Sequence, residues 1–93
     1  MIVSFACKET GRIWREERSR RLPPGIQQKA LDRLQLLNGA TRLEDLRVPP
    51  GNRLEALKGD RAGWHSLRLN DQWRLCFRWQ AGNAHDVEIV DYH

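Results

Sequence analysis

The second half of the chain consists of four runs in which apolar and polar residues alternate with a period of two. The runs are RLEALK, WHSLRLN, WRLCFRW and HDVEIVDY, between residues 53 and 92. Turn signals separate them, namely GDRAG, Asn70-Asp71 and Ala81-Gly82-Asn83. A period of two places successive side chains on opposite faces of a strand. The pattern therefore predicts a meander of antiparallel strands with one face against a core.

The first half of the chain shows helical spacing instead. PPGIQQKALDRLQLLNGA, residues 23–40, predicts a helix that two prolines open and Asn38-Gly39 ends. Its apolar positions recur at helical intervals: Ile26, Ala30, Leu34 and Leu37. KETGRIWREERSRR, residues 8–21, predicts a polar helix, and MIVSFA before it predicts a short strand. Thr41 as a cap, with Glu44 three residues on, predicts one further helical turn.

These elements define the expected fold class. The 93 residues form a single domain, 1–93, because a second core could not fit in this length. Helices come first and strands follow, so we expect an α+β fold: a small, twisted, mainly antiparallel sheet with two N-terminal helices packed on one face. The hydrophobic fraction of 40% and the charged fraction of 30% are typical of soluble globular proteins.

Composition narrows the class of partner. The net charge is +4, and 13 of the 16 basic residues are arginine, which favours a polyanionic partner because the guanidinium grips phosphate with two hydrogen bonds. Cys7 and Cys76 lie in apolar runs and are expected to be core residues in a reducing compartment. With no signal-peptide pattern and no run near ~20 apolar residues, we expect a cytoplasmic protein without a membrane partner. The sequence has no phosphate-binding glycine loop, zinc-ligand spacing or hydrolase serine motif, so no cofactor or metal is expected.

The strand alternation predicts which side chains share a face. In the run at 73–79, one face carries the apolar residues Trp73, Leu75, Phe77 and Trp79. The other face carries Arg74 and Arg78, and Arg68 of the preceding strand lies on the same side. The sequence therefore predicts a concave, arginine-lined sheet face exposed to water. Arg53, Arg68 and Arg78 are its candidate RNA-binding residues; the alternative is that they are ordinary solvent-side strand residues.

Three segments resemble the HigB, or plasmid-maintenance-killer, branch of the RelE superfamily of bacterial toxins. The segments are MIVSF, LEALKGDRAGWHSLRLNDQWRLCFRW and VEIVDYH. Their Leu-Lys-Gly-Asp-Arg-x-Gly turn, Trp-Arg-Leu-x-Phe strand and Asp-Tyr-His terminus follow the family's order. The resemblance spans Met1 to His93, and it implies the RelE-like microbial ribonuclease fold. That fold agrees with the α+β architecture predicted from periodicity.

The resemblance also implies an activity and partners. It implies a toxin of a type II toxin–antitoxin system: a metal-independent endoribonuclease that cuts mRNA on the translating 70S ribosome and so inhibits translation. A cognate helix-turn-helix antitoxin, HigA-like, is expected to neutralise it, and operator DNA is expected to bind only through that antitoxin. The family's site residues match Lys58 before the Gly-Asp turn, Arg74 on a central strand, and the terminal Asp91, Tyr92 and His93.

The residue types fit this chemistry. Metal-free RNA cleavage needs a base for the 2'-hydroxyl, cations for the charge building on the phosphate, and an acid for the leaving 5'-oxygen. His93 is the expected proton-transfer group, because imidazole titrates near neutral pH. Lys58 and Arg74 are expected to brace the phosphate. Tyr92 is expected to stack on or hydrogen-bond the substrate, and Asp91 to orient His93 or share its proton work.

One position departs from the family pattern. Many relatives carry a histidine three residues before the lysine, where this sequence has Glu55. A glutamate with a raised pKa can act as a base, so Glu55 is kept as a candidate catalytic residue. It also puts a negative charge near the RNA backbone. The acid and base assignment therefore stays open, and a slower enzyme is expected.

Two other functions are compatible with the same fold. ParE-like toxins have the RelE fold, are not nucleases, and act on DNA gyrase. Fold alone does not separate the two classes, because function depends on the site. The set of Lys58, Arg74 and the terminal Asp-Tyr-His resembles the nuclease branch. A catalytically inactive binding module is the third possibility, and Glu55 gives it some support.

Overall fold

Within residues 1–91, which the computed structural model describes, two helices and three 3-10 turns accompany a four-stranded sheet. The helices are α1 (Lys8–Trp14) and α2 (Pro24–Gly39), and the turns are Leu43–Arg47, Pro50–Asn52 and Gly59–Arg61. The strands are β1 (Glu55–Ala56), β2 (Trp64–Arg68), β3 (Trp73–Gln80) and β4 (Asn83–Asp91). They pair antiparallel in the order β1-β2-β3-β4. None of the helices in this part of the chain is long and apolar enough to cross a membrane.

The core lies between the sheet and α2. Leu67 of β2 is fully buried, as are Leu75 and Phe77 of β3, and the predicted apolar face of the sheet is confirmed. The predicted helical positions Ile26, Ala30, Leu34 and Leu37 are the buried residues of α2. Each such large apolar side chain removed from water contributes roughly 1.5–3 kcal/mol to folding. The apolar face of α2 and the apolar face of the sheet are therefore buried against each other in one core.

The N-terminal segment covers the outer edge of β4. Ile2 and Phe5 form isolated parallel bridges with Ala84 and Val87, and the backbone N–H groups of Ala84 and Val87 donate to carbonyls of this segment at 2.9 and 3.0 Å. The predicted strand over MIVSFA is wrong, because the two bridges are not joined into a continuous ladder. The segment nevertheless satisfies edge groups that would otherwise be open to pairing with another chain.

Helix α1 is shorter than the sequence predicts. The predicted helix ran to residue 21, but α1 ends at Trp14, and Glu16 has a left-handed φ of 60°. A tertiary contact redirects the chain: Ser19 is 2% exposed, and Gln27 Nε2 on α2 donates to the Ser19 carbonyl oxygen at 2.9 Å. The local pattern could not reveal a partner eight residues away on the next helix.

The turn after α2 is capped by a different residue from the one predicted. The Asp45 carboxylate accepts hydrogen bonds from the backbone N–H groups of Arg42 and Thr41, both at 3.1 Å. These bonds lower the pKa of Asp45, and the bond from Arg42 has the largest effect. The predicted Thr41–Glu44 cap is therefore wrong, because the turn winds as a 3-10 helix over Leu43–Arg47 and brings residue 45 into the capping position.

Three predicted strands are confirmed and one is shortened. The run predicted from residue 53 pairs only at β1, because Arg53 has a left-handed φ of 45° and Lys58 already begins the Gly59–Arg61 turn. In β4, one extra residue falls between the Cys76–Glu88 and Arg78–His85 pairs. Asp86 in that interval has a left-handed φ of 53°, a conformation that occurs in one class of β-bulge.

Thr10 provides a test of how α1 holds β4. Its side chain is fully buried, and its hydroxyl oxygen accepts a hydrogen bond from the backbone N–H of Ile89 at 3.0 Å. Thr10→Val keeps the shape but leaves that N–H without an acceptor, so we expect the free energy of unfolding in urea to fall by about 1–3 kcal/mol. Thr10→Ser keeps the acceptor and should lose about 1 kcal/mol for one methyl group. Wild-type stability in the valine variant would contradict the role of this bond.

Candidate active site

A depression of about 310 Å³ lies on the sheet face opposite the helices. Lys58 and Arg61 line it from the segment after β1, and Asp91 lines it from the end of β4. Cys76 of β3 also lines it, and this residue is 2% exposed. The fold therefore brings Lys58 and Asp91, two predicted site residues, to the same depression although they are 33 positions apart in the sequence.

The Gly59–Arg61 turn reaches this depression because it crosses the open face of the sheet. Arg61 NH2 lies 2.7 Å from Glu88 Oε1 on β4, the strand farthest from β1 in the sheet. The guanidinium also lies over the Trp64 ring, 4.2 Å from its centroid, a cation–π contact. Gly59, with a φ of 65°, permits the left-handed backbone with which the turn begins. These contacts fix the turn above β3 and β4.

Arg61 lines the depression and is a candidate site residue that the sequence analysis missed. Its NH1 is buried and has no hydrogen-bond partner among residues 1–91, although its NH2 is paired with Glu88. A guanidinium with a donor still available can add a contact to a phosphate oxygen. The Gly-Asp-Arg turn itself was the available signal, since that motif marked Lys58 and its arginine lies three positions on.

The sequence predicted that Arg74 is exposed, but its side chain is buried. Its side chain is 9% exposed, and its Nε donates to Ser66 Oγ at 2.8 Å while NH2 donates to the Arg53 carbonyl oxygen at 2.7 Å. Ser66 is also buried, and so is Cys76, which the sequence predicted to be a core residue. The prediction of an open arginine-lined face is wrong at these positions because residues 53–61 fold over the sheet. Among the described residues, Arg74 is not part of the depression's lining.

Glu55 lies beside Arg74. Glu55 Oε1 is 3.8 Å from Arg74 NH1, and the glutamate side chain is about half exposed. The carboxylate therefore offsets part of the charge of a cation that the fold has already taken out of water. This geometry gives Glu55 a counter-ion contact that its position in the sequence did not reveal.

The terminal residues are only partly described. Asp91 is exposed, and its Oδ2 accepts a hydrogen bond from Gln72 Nε2 at 3.0 Å. The predicted site residues Tyr92 and His93 lie outside the described residues. Between residues 1 and 91, no three His, Cys, Asp or Glu side chains come together in a group that could hold a metal ion.

The three predicted RNA-binding arginines have different surroundings. Arg53 is exposed, and Arg68 forms an ion pair with Asp71. Arg78 Nε is 3.3 Å from Asp86 Oδ2. Arg68 pairs in register with Arg74, near the end of the sheet that carries Asp91, whereas Arg78 lies roughly 14 Å farther along β3 than Arg74 at ~3.4 Å per residue. The structure does not bring Arg78 to the depression, and RNA binding by the three stays a prediction.

Cys76 brings a thiol to the depression. Burial, partly offset by the Arg61 cation, raises the pKa of its thiol to about 11. The thiol therefore stays protonated at neutral pH and cannot act as a nucleophile. The described side chains that can carry charge or protons at the depression are Lys58, Arg61 and Asp91.

Solved structures with the same architecture identify the fold. The chain resembles YafQ from E. coli strain BL21(DE3) with a TM-score of 0.63 and 11% identity, covering 99% of this chain and 94% of that one. A mutant of YafQ from E. coli gives a TM-score of 0.64 with 10% identity over the same shares. At these identities the likeness concerns the fold alone. It is a RelE-like α+β fold, as predicted.

The sequence identifies the family within this fold. Residues 3–93 match the family of RelE-like toxins of the type II toxin–antitoxin system HigB. The chain is 41% identical over 85 residues to Toxin HigB-1 of Vibrio cholerae, covering 90% of each chain. It is 31% identical over 93 residues to Endoribonuclease HigB of Proteus vulgaris, covering both chains completely. The protein therefore belongs to the HigB toxin family, which confirms the predicted resemblance and implies an antitoxin partner.

The buried thiol provides a test of this geometry. At pH 8, a pKa of about 11 leaves about one Cys76 in a thousand as the reactive thiolate, and burial hinders access further. We expect iodoacetamide to modify the half-buried Cys7 first in the native protein. Cys76 should react only in urea, at a rate at least a hundredfold higher than in the native state. Mass spectrometry of tryptic peptides separates the two sites, and equal native rates would contradict the burial of Cys76.

Proposed function

We propose that the protein is an endoribonuclease that cuts mRNA on translating 70S ribosomes without a metal ion. The observation that carries the proposal is the meeting of Lys58, Arg61 and Asp91 at one depression on the sheet face. It is supported by the similarity to a full-length relative named Endoribonuclease HigB. The match to HigB toxins favours this reading over a gyrase-binding, ParE-like toxin.

The proposed reaction divides the work between fixed cations and proton carriers. A base removes the proton of the 2'-hydroxyl, the 2'-oxygen attacks the phosphorus, and the bond from phosphorus to the 5'-oxygen breaks as an acid protonates that oxygen. Lys58 and Arg61 stabilise the charge on the phosphate oxygens. Asp91 and His93 carry the protons, and Tyr92 contacts a base. The two cations supply the positive charge that a metal ion supplies in other nucleases.

Arg74 has a supporting role in this proposal. Its hydrogen bonds to Ser66 and to the Arg53 carbonyl position the segment that carries Lys58. Its charge adds to the local positive potential, which Glu55 reduces. Glu55 therefore acts here as a counter-ion and not as the base.

The partners follow from the same proposal. As a type II toxin the protein is paired with an antitoxin, and we propose one of the helix-turn-helix type, through which alone the pair binds operator DNA. The toxin acts in the cytoplasm, where its ribosomal target is. Arg53 and Arg68 are proposed contacts to the RNA backbone.

Cleavage of a short message tests the proposal directly. With purified protein, we expect cutting with programmed 70S ribosomes and little cutting without them. Lys58→Ala should reduce the cleavage rate at least a hundredfold, because loss of one preorganised donor at a developing charge typically costs this much. Lys29→Ala removes an exposed lysine of α2 and should cut at the wild-type rate. Absence of cutting by the wild type, with inhibition of DNA gyrase instead, would refute the proposal.

Substitution of Glu55 distinguishes its two possible roles. Because Glu55 Oε1 lies 3.8 Å from Arg74 NH1, Glu55→Gln should raise affinity for RNA about two- to fivefold and leave the cleavage rate within about threefold. A general base contributes roughly 10²–10⁴ to the rate. A loss of a hundredfold or more in single-turnover cleavage would therefore identify Glu55 as the base and overturn the counter-ion role.

A further inference from the structure

A second, larger concavity lies beside α1 and the connection from α1 to α2. Its volume is about 1010 Å³, and we refer to it as the basic cleft. Its basic lining residues are Lys8, Arg12, Arg18, Arg20 and Arg21. Within residues 1–91, two acidic residues line it, Glu9 and Glu88, which gives the described lining a net charge of +3 in a protein whose total is +4. Most of the excess positive charge is therefore concentrated on this surface.

The two carboxylates of the cleft are already engaged within the fold. Glu9 Oε1 accepts a hydrogen bond from the Ser19 hydroxyl at 2.7 Å, and its Oε2 lies 3.4 Å from Arg12 Nε. Glu88 is paired with Arg61 at 2.7 Å. Four cations of the cleft make no ion pair or side-chain hydrogen bond with any residue in 1–91: Lys8, Arg18, Arg20 and Arg21. These four are available to an external anion.

The backbone that carries three of these cations is held rigidly. The Ser19 hydroxyl accepts from the backbone N–H groups of Arg21 and Leu22, both at 3.2 Å. Gln27 accepts from the Ser19 N–H at 3.2 Å and donates to the carbonyls of Ser19 and Leu22, both at 2.9 Å. A loop fixed by five hydrogen bonds presents its arginines from defined positions. The entropic cost of ordering that backbone is met on folding and not on binding.

The basic cleft adjoins the candidate active site. Glu88 lines the cleft, and its partner Arg61 lines the depression that contains Lys58 and Asp91. One ion pair thus forms the border between the two concavities. A polyanion that leaves the depression past Arg61 enters the cleft next.

We propose that the basic cleft binds the phosphodiester backbone of the RNA strand adjacent to the position that is cut. The proposal rests on the proposed nuclease function, since that function puts an RNA strand in the depression. Lys8, Arg18, Arg20 and Arg21 contact phosphates and not base edges. Binding at the cleft is therefore independent of base sequence and sensitive to salt.

The test is the gain in affinity when the RNA is long enough to reach the cleft. Fluorescence anisotropy is measured with labelled 2'-O-methyl RNA, which cannot be cut because the 2'-hydroxyl is blocked. Oligonucleotides of about 4 and about 12 nucleotides are compared, the first at the lower limit of the usual span of such single-strand sites and the second well within it. For the wild type, we expect the longer strand to bind at least tenfold more tightly.

Two triple variants separate the cleft from general charge. Arg18→Gln with Arg20→Gln and Arg21→Gln should abolish most of the gain with length. It should also reduce the slope of log affinity against log salt by about 2, since each single-strand phosphate contact contributes ~0.7. The control triple Lys29→Gln, Arg42→Gln and Arg47→Gln removes the same charge from exposed positions outside the cleft and should behave as the wild type.

A third variant shows whether an effect of the glutamine variant comes from lost charge or from a disturbed loop. Replacing the same three cleft arginines by lysine keeps the charge and should retain most of the salt slope. If the glutamine variant retains the full gain with length, or if the control triple loses as much, the proposal is overturned. If the glutamine variant binds RNA as the wild type does but no longer binds polyglutamate, the cleft is a site for an acidic protein, and the proposal is also overturned.

The outcomes for the cleft and for the nuclease remain distinct. Anisotropy with uncut RNA reports the cleft alone, whereas cleavage on ribosomes reports the depression. A protein that gains affinity with RNA length through the cleft but does not cut on ribosomes would refute the proposed function and leave cleft binding standing. A protein that cuts normally with the cleft arginines replaced, and shows no loss of binding, would refute only the cleft.

Discussion

The open face of this sheet depends on the buried guanidinium of Arg74. A charge taken out of water costs several kcal/mol unless hydrogen bonds and a counter-ion compensate it. Arg74 obtains them from Ser66 Oγ beneath it, the Arg53 carbonyl and the nearby Glu55 carboxylate. Two of these partners belong to the segment around β1, so satisfying one arginine draws that segment across the sheet. Arg74 thus helps to hold the start of β1 in place, while Arg61 holds the turn after β1 through Glu88.

The three cations near the candidate site differ in how far they are exposed to water. Arg74 is 9% exposed at the side chain and supports the segment, Arg61 is 43% exposed and paired with Glu88, and Lys58 is exposed at the mouth of the depression. A deeply buried cation is already committed to the fold, whereas an exposed one is free to meet a phosphate. The sequence presents three basic residues of similar chemistry, and burial assigns them different tasks.

The periodicity of apolar residues predicted those parts of the fold that depend on the core. The alternation through Leu75 and Phe77 and the helical spacing through Leu34 gave the sheet, the second helix and the buried face correctly, because the core decides all of these. The alternation could not show that the face carrying Arg74 would be covered, because a period of two indicates which residues share a face but not what packs against that face. The early end of α1 and the role of Arg61 escaped for the same reason: each depends on a contact made across the fold, with Gln27 in one case and Glu88 in the other.

Two buried serines organise the two positively charged regions. Ser66 lies under Arg74 beside the depression, and Ser19 holds the loop that carries the cleft arginines. Neighbouring like charges repel, and a flexible segment would spread them apart. Each serine hydroxyl instead fixes a backbone or side chain through hydrogen bonds shielded from water, where such bonds are stronger. The loop that carries Arg18, Arg20 and Arg21 is thus fixed by neutral polar groups, and the charge of these three arginines is not cancelled by carboxylates of residues 1–91.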